Sequence, residues 1–180
     1  MTGVDGPLPS GGNAEPSDIR AWQRLSDDVT TSGKLEAGDP ARLAAIGVRN
    51  VINLALDNHP EALADEAALL AEQGIGYTHI PVPFDAPSPD DYAAFCQAIE
   101  TAEGPVHVHC IMNYRVSAFF YLLHLEQGMD EAAAHALMAE QWDPASADHP
   151  AAKPWGDLIV ACANPPRKSS APAKRCSGRR

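Results

Sequence analysis

The stretch GPVHVHCIMNYRVSAFFYLL, from Gly104 to Leu123, sets an apolar, β-branched run against a cysteine. A short polar loop with one arginine follows, and then an apolar run. The segment PVHVH reads as a buried strand and RVSAFFYLLHLEQG as a helix. Cys110 therefore falls at the carboxyl end of a strand and just before a helix begins.

Working outward, strand-like and helix-like segments alternate. DPARLAAIG predicts a helix with Asp39 as N-cap, Pro40 at the first helical position and Gly47 closing it. VRNVINLAL predicts a strand, HPEALADEAALLAEQG a helix and IGYTHIPV another strand. SPDDYAAFCQAIETAEG opens with a Ser-x-x-Asp capping box. After the central stretch, MDEAAAHALMAEQW and KPWGDLIVACAN predict two more helices. Short connectors between alternating elements imply an α/β domain, a mostly parallel sheet of about four strands flanked by helices. In such sheets ligands bind at the carboxyl ends of strands, where Cys110 lies.

The chain has 180 residues, enough for one domain with a real core. Residues 1–16 are rich in Gly, Pro and Ser and read as disordered, 17–164 as the domain, and 165–180 as a basic disordered tail. That tail holds six Arg/Lys and no acid, which leaves a formal charge of −17 on the preceding 164 residues. Such a body repels polyanions, so nucleic acid is a poor partner. No run of about 18 apolar residues exists to span a membrane. The N-terminus lacks the basic and apolar regions of a secretory signal, and the four cysteines form no C-x-x-C pair. A reducing cytoplasm is the expected location. Oligomeric state is not legible.

A thiol before a helix start sits among backbone N–H groups without partners, and the helix dipole favours negative charge there. The same donors can cradle phosphate oxygens, and a guanidinium can grip two of them at once. Arg115 is the only Arg or Lys between Arg49 and Lys153. The dipole disfavours a cation at a helix start, so a bound anion accounts for it better than a surface ion pair. His107 and His109 share a strand face, but no carboxylate or second Cys/His pair has metal-ligand spacing, so no metal site is expected. Trp22, Trp142 and Trp155 read as core residues.

These residues carry a family resemblance. IGVRNVINLALD, GIGYTHIPVPFDAPSPDDYAAF and above all VHVHCIMNYRVSAFFYLL make the chain resemble bacterial members of the protein tyrosine/dual-specificity phosphatase superfamily, over about Thr30 to Leu125. The resemblance implies a phosphoric monoester hydrolase with Cys110 as nucleophile, needing no metal or cofactor. Its substrates would be a phosphorylated protein or a small phosphomonoester. Arg115 and the loop residues Ile111, Met112, Asn113 and Tyr114 would bind the phosphate, His109 would position the loop, and the Ser117 hydroxyl would face the thiolate. Asp85 resembles the family's general acid, with Asp90 and Asp91 as competitors. The loop departs from the usual signature: four residues rather than five separate Cys from Arg, while Ser117 keeps its place seven after Cys110. Asn113 stands where the family has a loop glycine and tolerates a left-handed backbone. A subgroup with the pattern HCxxNxRxS is the nearest match. Two alternatives stay open: a rhodanese-like sulfurtransferase, whose Cys-x4-Arg loop has the same length, and a non-catalytic oxyanion-binding module.

Overall fold

The computed structural model describes residues 14–163. The chain runs β1 (Gln23–Arg24), β2 (Val29–Ser32), α1 (Asp39–Ala45), β3 (Asn50–Asn53), α2 (Glu66–Glu72), β4 (Gly76–His79), α3 (Pro89–Thr101), β5 (Val106–His109), α4 (Tyr114–Glu126), α5 (Glu131–Ala139) and α6 (Ala152–Ala163). The sheet order is β1-β2-β5-β3-β4. β2, β5, β3 and β4 are parallel, and the two-residue β1 joins β2 antiparallel. The parallel core has the expected four strands, and β1 adds a short edge.

Strand alternation sends neighbouring residues to opposite faces. Ile52, Val106 and Val108 pack with α3–α6, whereas Val51 packs with Leu43 of α1 and Leu70 of α2. Each face is thus covered, which is what a parallel sheet requires. Helix α4 is buried on nearly every side, with Val116, Ala118 and Phe119 fully enclosed. Phe95, Phe119 and Trp155 form an aromatic cluster around it. Trp142 and Trp155 are core residues as expected; Trp22 is half-buried and stacks on His107, ring centroids 5.3 Å apart.

The structure corrects two local expectations and adds a strand that was not expected. Asp39 is not the N-cap of α1: Gly38 is, and Asp39 opens the helix, accepting from the Glu36 amide and the Arg42 guanidinium. The helix expected across HPEALADEAALLAEQG is confined to Glu66–Glu72, because Asp65 takes a left-handed backbone (φ 57°) and the residues before it form turns. The strand VTTS stands beside β5 although it is largely polar. Its hydroxyls are buried because His107 meets Thr30 Oγ1 and Ser32 Oγ, each at 2.9 Å. The Ser88 capping box on Asp91 forms as expected.

Of the N-terminal stretch expected to be disordered, residues 14–16 are described, and Glu15 accepts from Trp22 Nε1. The rest of that stretch and the tail from Pro165 lie outside the described residues. No helix among the described residues is long and apolar enough to cross a membrane.

Candidate active site

Strand β5 ends at His109, and the loop 110–113 leads directly into α4. The Cys110 amide bonds the Ser32 carbonyl at 3.4 Å, and the Ile111 carbonyl accepts from the Lys34 amide at 3.0 Å. The loop is therefore pinned to the end of β2. Gly33 makes that approach possible, since a Cβ there would lie 2.6 Å from the Ile111 carbonyl oxygen. At the other end Asn113 adopts φ 64°, a conformation that Asn tolerates. Its Nδ2 donates to the Ala21 carbonyl at 2.8 Å and to Thr31 Oγ1 at 3.0 Å. From Ile111 to Val116 no backbone amide has a hydrogen-bond partner among the described residues. These donors, at the start of a 13-residue helix, make the loop attractive to an anion.

Cys110 and Arg115 line one cavity of about 500 Å³. Asp85, Ile111, Met112 and Tyr114 share its wall with Leu56, His59, Phe84, His149, Pro150 and Ala151. Arg115 is only 6% exposed and forms no ion pair among the described residues. Its Nε donates to the Val82 carbonyl at 2.8 Å, and its guanidinium carbon stands 5.1 Å from the Phe84 ring centroid. Burying an uncompensated charge is costly. A guanidinium anchored through Nε, with its other nitrogens free of carboxylates, suits an anion in that cavity.

Asp85 is exposed at the cavity wall. Asp91 is engaged elsewhere, accepting from the Ser88 amide at 2.9 Å and the Ser88 hydroxyl at 2.7 Å. His59 and His149 each accept a backbone amide at Nδ1, from Glu61 and Ala151 respectively. Their neutral rings therefore carry the proton on Nε2.

Not every expected residue faces the cavity. The Ser117 hydroxyl donates to the Tyr114 carbonyl at 3.0 Å, and Ser117 lines a small pocket with Gln23, Thr31 and His124. Its expected place against the thiolate is not the one observed. Asn113 turns its side chain to β2, and His109 lies beneath the loop, with Nδ1 3.3 Å from the Cys110 carbonyl oxygen. Glu66, Gly33 and Phe84 were missed from sequence. Glu66 reads as a solvated helix residue, and Gly33 as one more loop glycine.

The family model for the phosphatase-like domain of the beta-lactamase hydrolase-like protein matches residues 19–139. The chain belongs to this family. Membership covers all five strands, the Cys110–Arg115 loop and both α4 and α5. A DUF442 protein from Shewanella putrefaciens CN-32 is 31% identical, covers 80% of this chain and 89% of its own, and superposes with a TM-score of 0.69. The beta-lactamase hydrolase-like protein of Xylella fastidiosa (strain Temecula1) is 31% identical over 108 residues, 58% of this chain and 25% of that protein. The chain thus spans about a quarter of the length of this curated relative. A cysteine-to-serine variant of TpbA from P. aeruginosa, solved in complex with pTyr, is 23% identical. It covers 87% of this chain and 99% of its own, with a TM-score of 0.62, and shares the fold. The architecture is that of the cysteine-phosphatase proteins, as the sequence resemblance implied.

Proposed function

We propose that the chain is a cysteine-dependent phosphatase acting on phosphomonoesters through a phosphocysteine intermediate. The observation that carries this reading is Arg115, buried with no carboxylate partner among the described residues in the cavity that also holds Cys110 and Asp85. The Cys110 thiolate attacks phosphorus, forming an S–P bond as the P–O bond to the leaving group breaks. Arg115 and the loop amides hold the equatorial oxygens, where charge is concentrated in the transition state. Asp85 gives its proton to the departing oxygen. The resulting carboxylate then takes a proton from water, which attacks phosphorus, releases phosphate and frees the thiolate.

Among the described residues Arg115 is the only Arg or Lys that lines the cavity, and apolar and aromatic groups form much of its wall. This favours an aryl phosphate over a polyphosphorylated ligand. The TpbA complex with pTyr supports phosphotyrosine as the first substrate to test. Family membership favours this reading over a rhodanese-like sulfurtransferase, and Asp85 at the cavity wall favours catalysis over anion binding alone. Any activity of the longer curated relatives beyond the matched segment lies outside the proposal.

The test is turnover of aryl phosphate, phosphotyrosyl peptide and thiosulfate by wild type and Cys110→Ser. Phosphate release by wild type alone, with the variant still binding phosphate or vanadate, is the expected result. Thiocyanate formation from thiosulfate and cyanide without phosphate release would overturn the proposal.

A further inference from the structure

One buried carboxylate has no part in the chemistry above. Glu66 opens α2, is 6% exposed and lies on the sheet face opposite the main core. Its Oε2 accepts from Asn53 Nδ2 at 2.8 Å and from the Tyr77 hydroxyl at 3.3 Å. Burial, reinforced by the Glu66 charge, pushes the Tyr77 pKa up to about 12, which keeps that hydroxyl a donor. Donors from β3 and β4 therefore orient the carboxylate from behind. Its Oε1 lies 2.6 Å from His109 Nε2, off the line of a ring hydrogen bond.

The other ring nitrogen of His109 faces the Cys110 carbonyl oxygen at 3.3 Å. The imidazole thus stands between an acceptor carboxylate and an acceptor carbonyl, one at each ring nitrogen. His109 is 3% exposed, and among the described residues no other polar side chain reaches its ring nitrogens. The ring couples Glu66 to the first peptide of the loop. Released from Glu66, it would be free to turn about its side-chain torsions, and the Cys110 peptide would lose the group that fixes its orientation. A misplacement of about 1 Å at a reacting atom costs up to about 10²-fold in rate.

Resting on the phosphatase reading, we propose that Glu66 is a positioning residue that holds Cys110 in its attacking geometry through His109. Four segments distant in sequence meet to do so: Asn53 of β3 and Tyr77 of β4 hold the carboxylate of α2, which meets the ring at the end of β5. Glu66 is not among the residues that line the cavity around Cys110.

The experiment compares wild type, Glu66→Gln, His109→Gln and the double variant. Its readouts are kcat and KM for an aryl phosphate, the melting temperature, and the rate at which iodoacetamide labels Cys110, read by peptide mass spectrometry. Burial raises the thiols of Cys96 and Cys162, which keeps their labelling slow near neutral pH. Glu66→Gln should lower kcat by about tenfold or more, with KM within about twofold and Cys110 labelling slowed in parallel. The double variant should be little worse than His109→Gln alone, because both act through one ring. Losses that multiply independently, or kcat and labelling within twofold of wild type beside a lowered melting temperature, would overturn the inference.

Should Glu66→Gln fail to fold, Tyr77→Phe removes one donor behind the carboxylate and decides the matter. A smaller fall in kcat and labelling supports the inference, and no change overturns it. Should wild type release no phosphate from any ester, the phosphatase reading fails by itself. The labelling and double-variant measurements still decide the role of Glu66.

Discussion

Arg115 Nε donates to the Val82 carbonyl at 2.8 Å, tying the first turn of α4 to the chain that leaves β4. Two residues beyond Val82, Phe84 lies against the guanidinium, and Asp85 follows it into the cavity wall. One side chain therefore orients both the proposed anion site and the segment carrying the proposed acid.

Arg115→Lys keeps the charge and removes the planar fork together with the Val82 bond. Steady-state kinetics on an aryl phosphate should show kcat/KM lowered by about 2 kcal/mol or more, roughly 30-fold. Activity within twofold of wild type would make Arg115 a structural residue.

Asp85→Asn and Asp91→Asn separate the acid from the helix cap. A general acid matters most when the leaving oxygen is strongly basic. Asp85→Asn should lower turnover about 10²–10⁴-fold on an alkyl phosphate and far less on a nitrophenyl ester. Asp91→Asn breaks the reciprocal bonds with Ser88 and should lower stability by about 1 kcal/mol without that leaving-group dependence. The reverse pattern would move the acid to Asp91.

Gly33→Ala tests the seam between β2 and the loop. The added Cβ would meet the Ile111 carbonyl oxygen at 2.6 Å, closer than such atoms pack, so one backbone must move. A loss of about 1–3 kcal/mol of stability is expected, with kcat falling as well. Gly38→Ala has no atom within 4 Å of its new Cβ and serves as the neutral control. Equal behaviour of the two variants in thermal melts and kinetics would refute this account.

His107 governs stability on mild acidification. Full burial, then the neighbouring His109, depresses its pKa well below 6.5, and burial lowers that of His124 too. With the folded value depressed, the unfolded chain takes the proton first as pH falls through about 6.5. The stabilising contribution is complete above that pH and is lost as pH falls below it, at up to about 1.4 kcal/mol per pH unit for each group. Urea titrations at pH 7.5, 6.5 and 5.5 should show this decline, and His107→Gln should flatten it. A decline that persists unchanged in the variant would assign it to other groups.

Much of the fold was legible because its signals are local. The Ser88–Asp91 capping box, the β-branched runs at Val51 and Val106, and the apolar stretch after Arg115 each state their own conformation within a few residues. The spacing of Cys110 and Arg115 was equally readable, since a strand end followed by a helix start brings both to one loop. Asp85 was a choice among three carboxylates: the cap engages Asp91, Asp85 stands at the cavity wall, and the assignment of the acid remains a proposal.

Tertiary structure alone decided where the polar interior lies. A run such as VTTS carries no buried-strand signal by itself, because burying hydroxyls is favourable only when partners are supplied, here by His107 and Asn113 some 80 residues away. Glu66 resembles any exposed helical acid until β3, β4 and His109 surround it. Ser117, seven residues after the cysteine, could have turned either way, and the Tyr114 carbonyl within its own helix took the hydroxyl. Apolar periodicity is a property of the segment that carries it. The partner of a buried polar atom comes from another part of the chain, and only the packed molecule brings the two together.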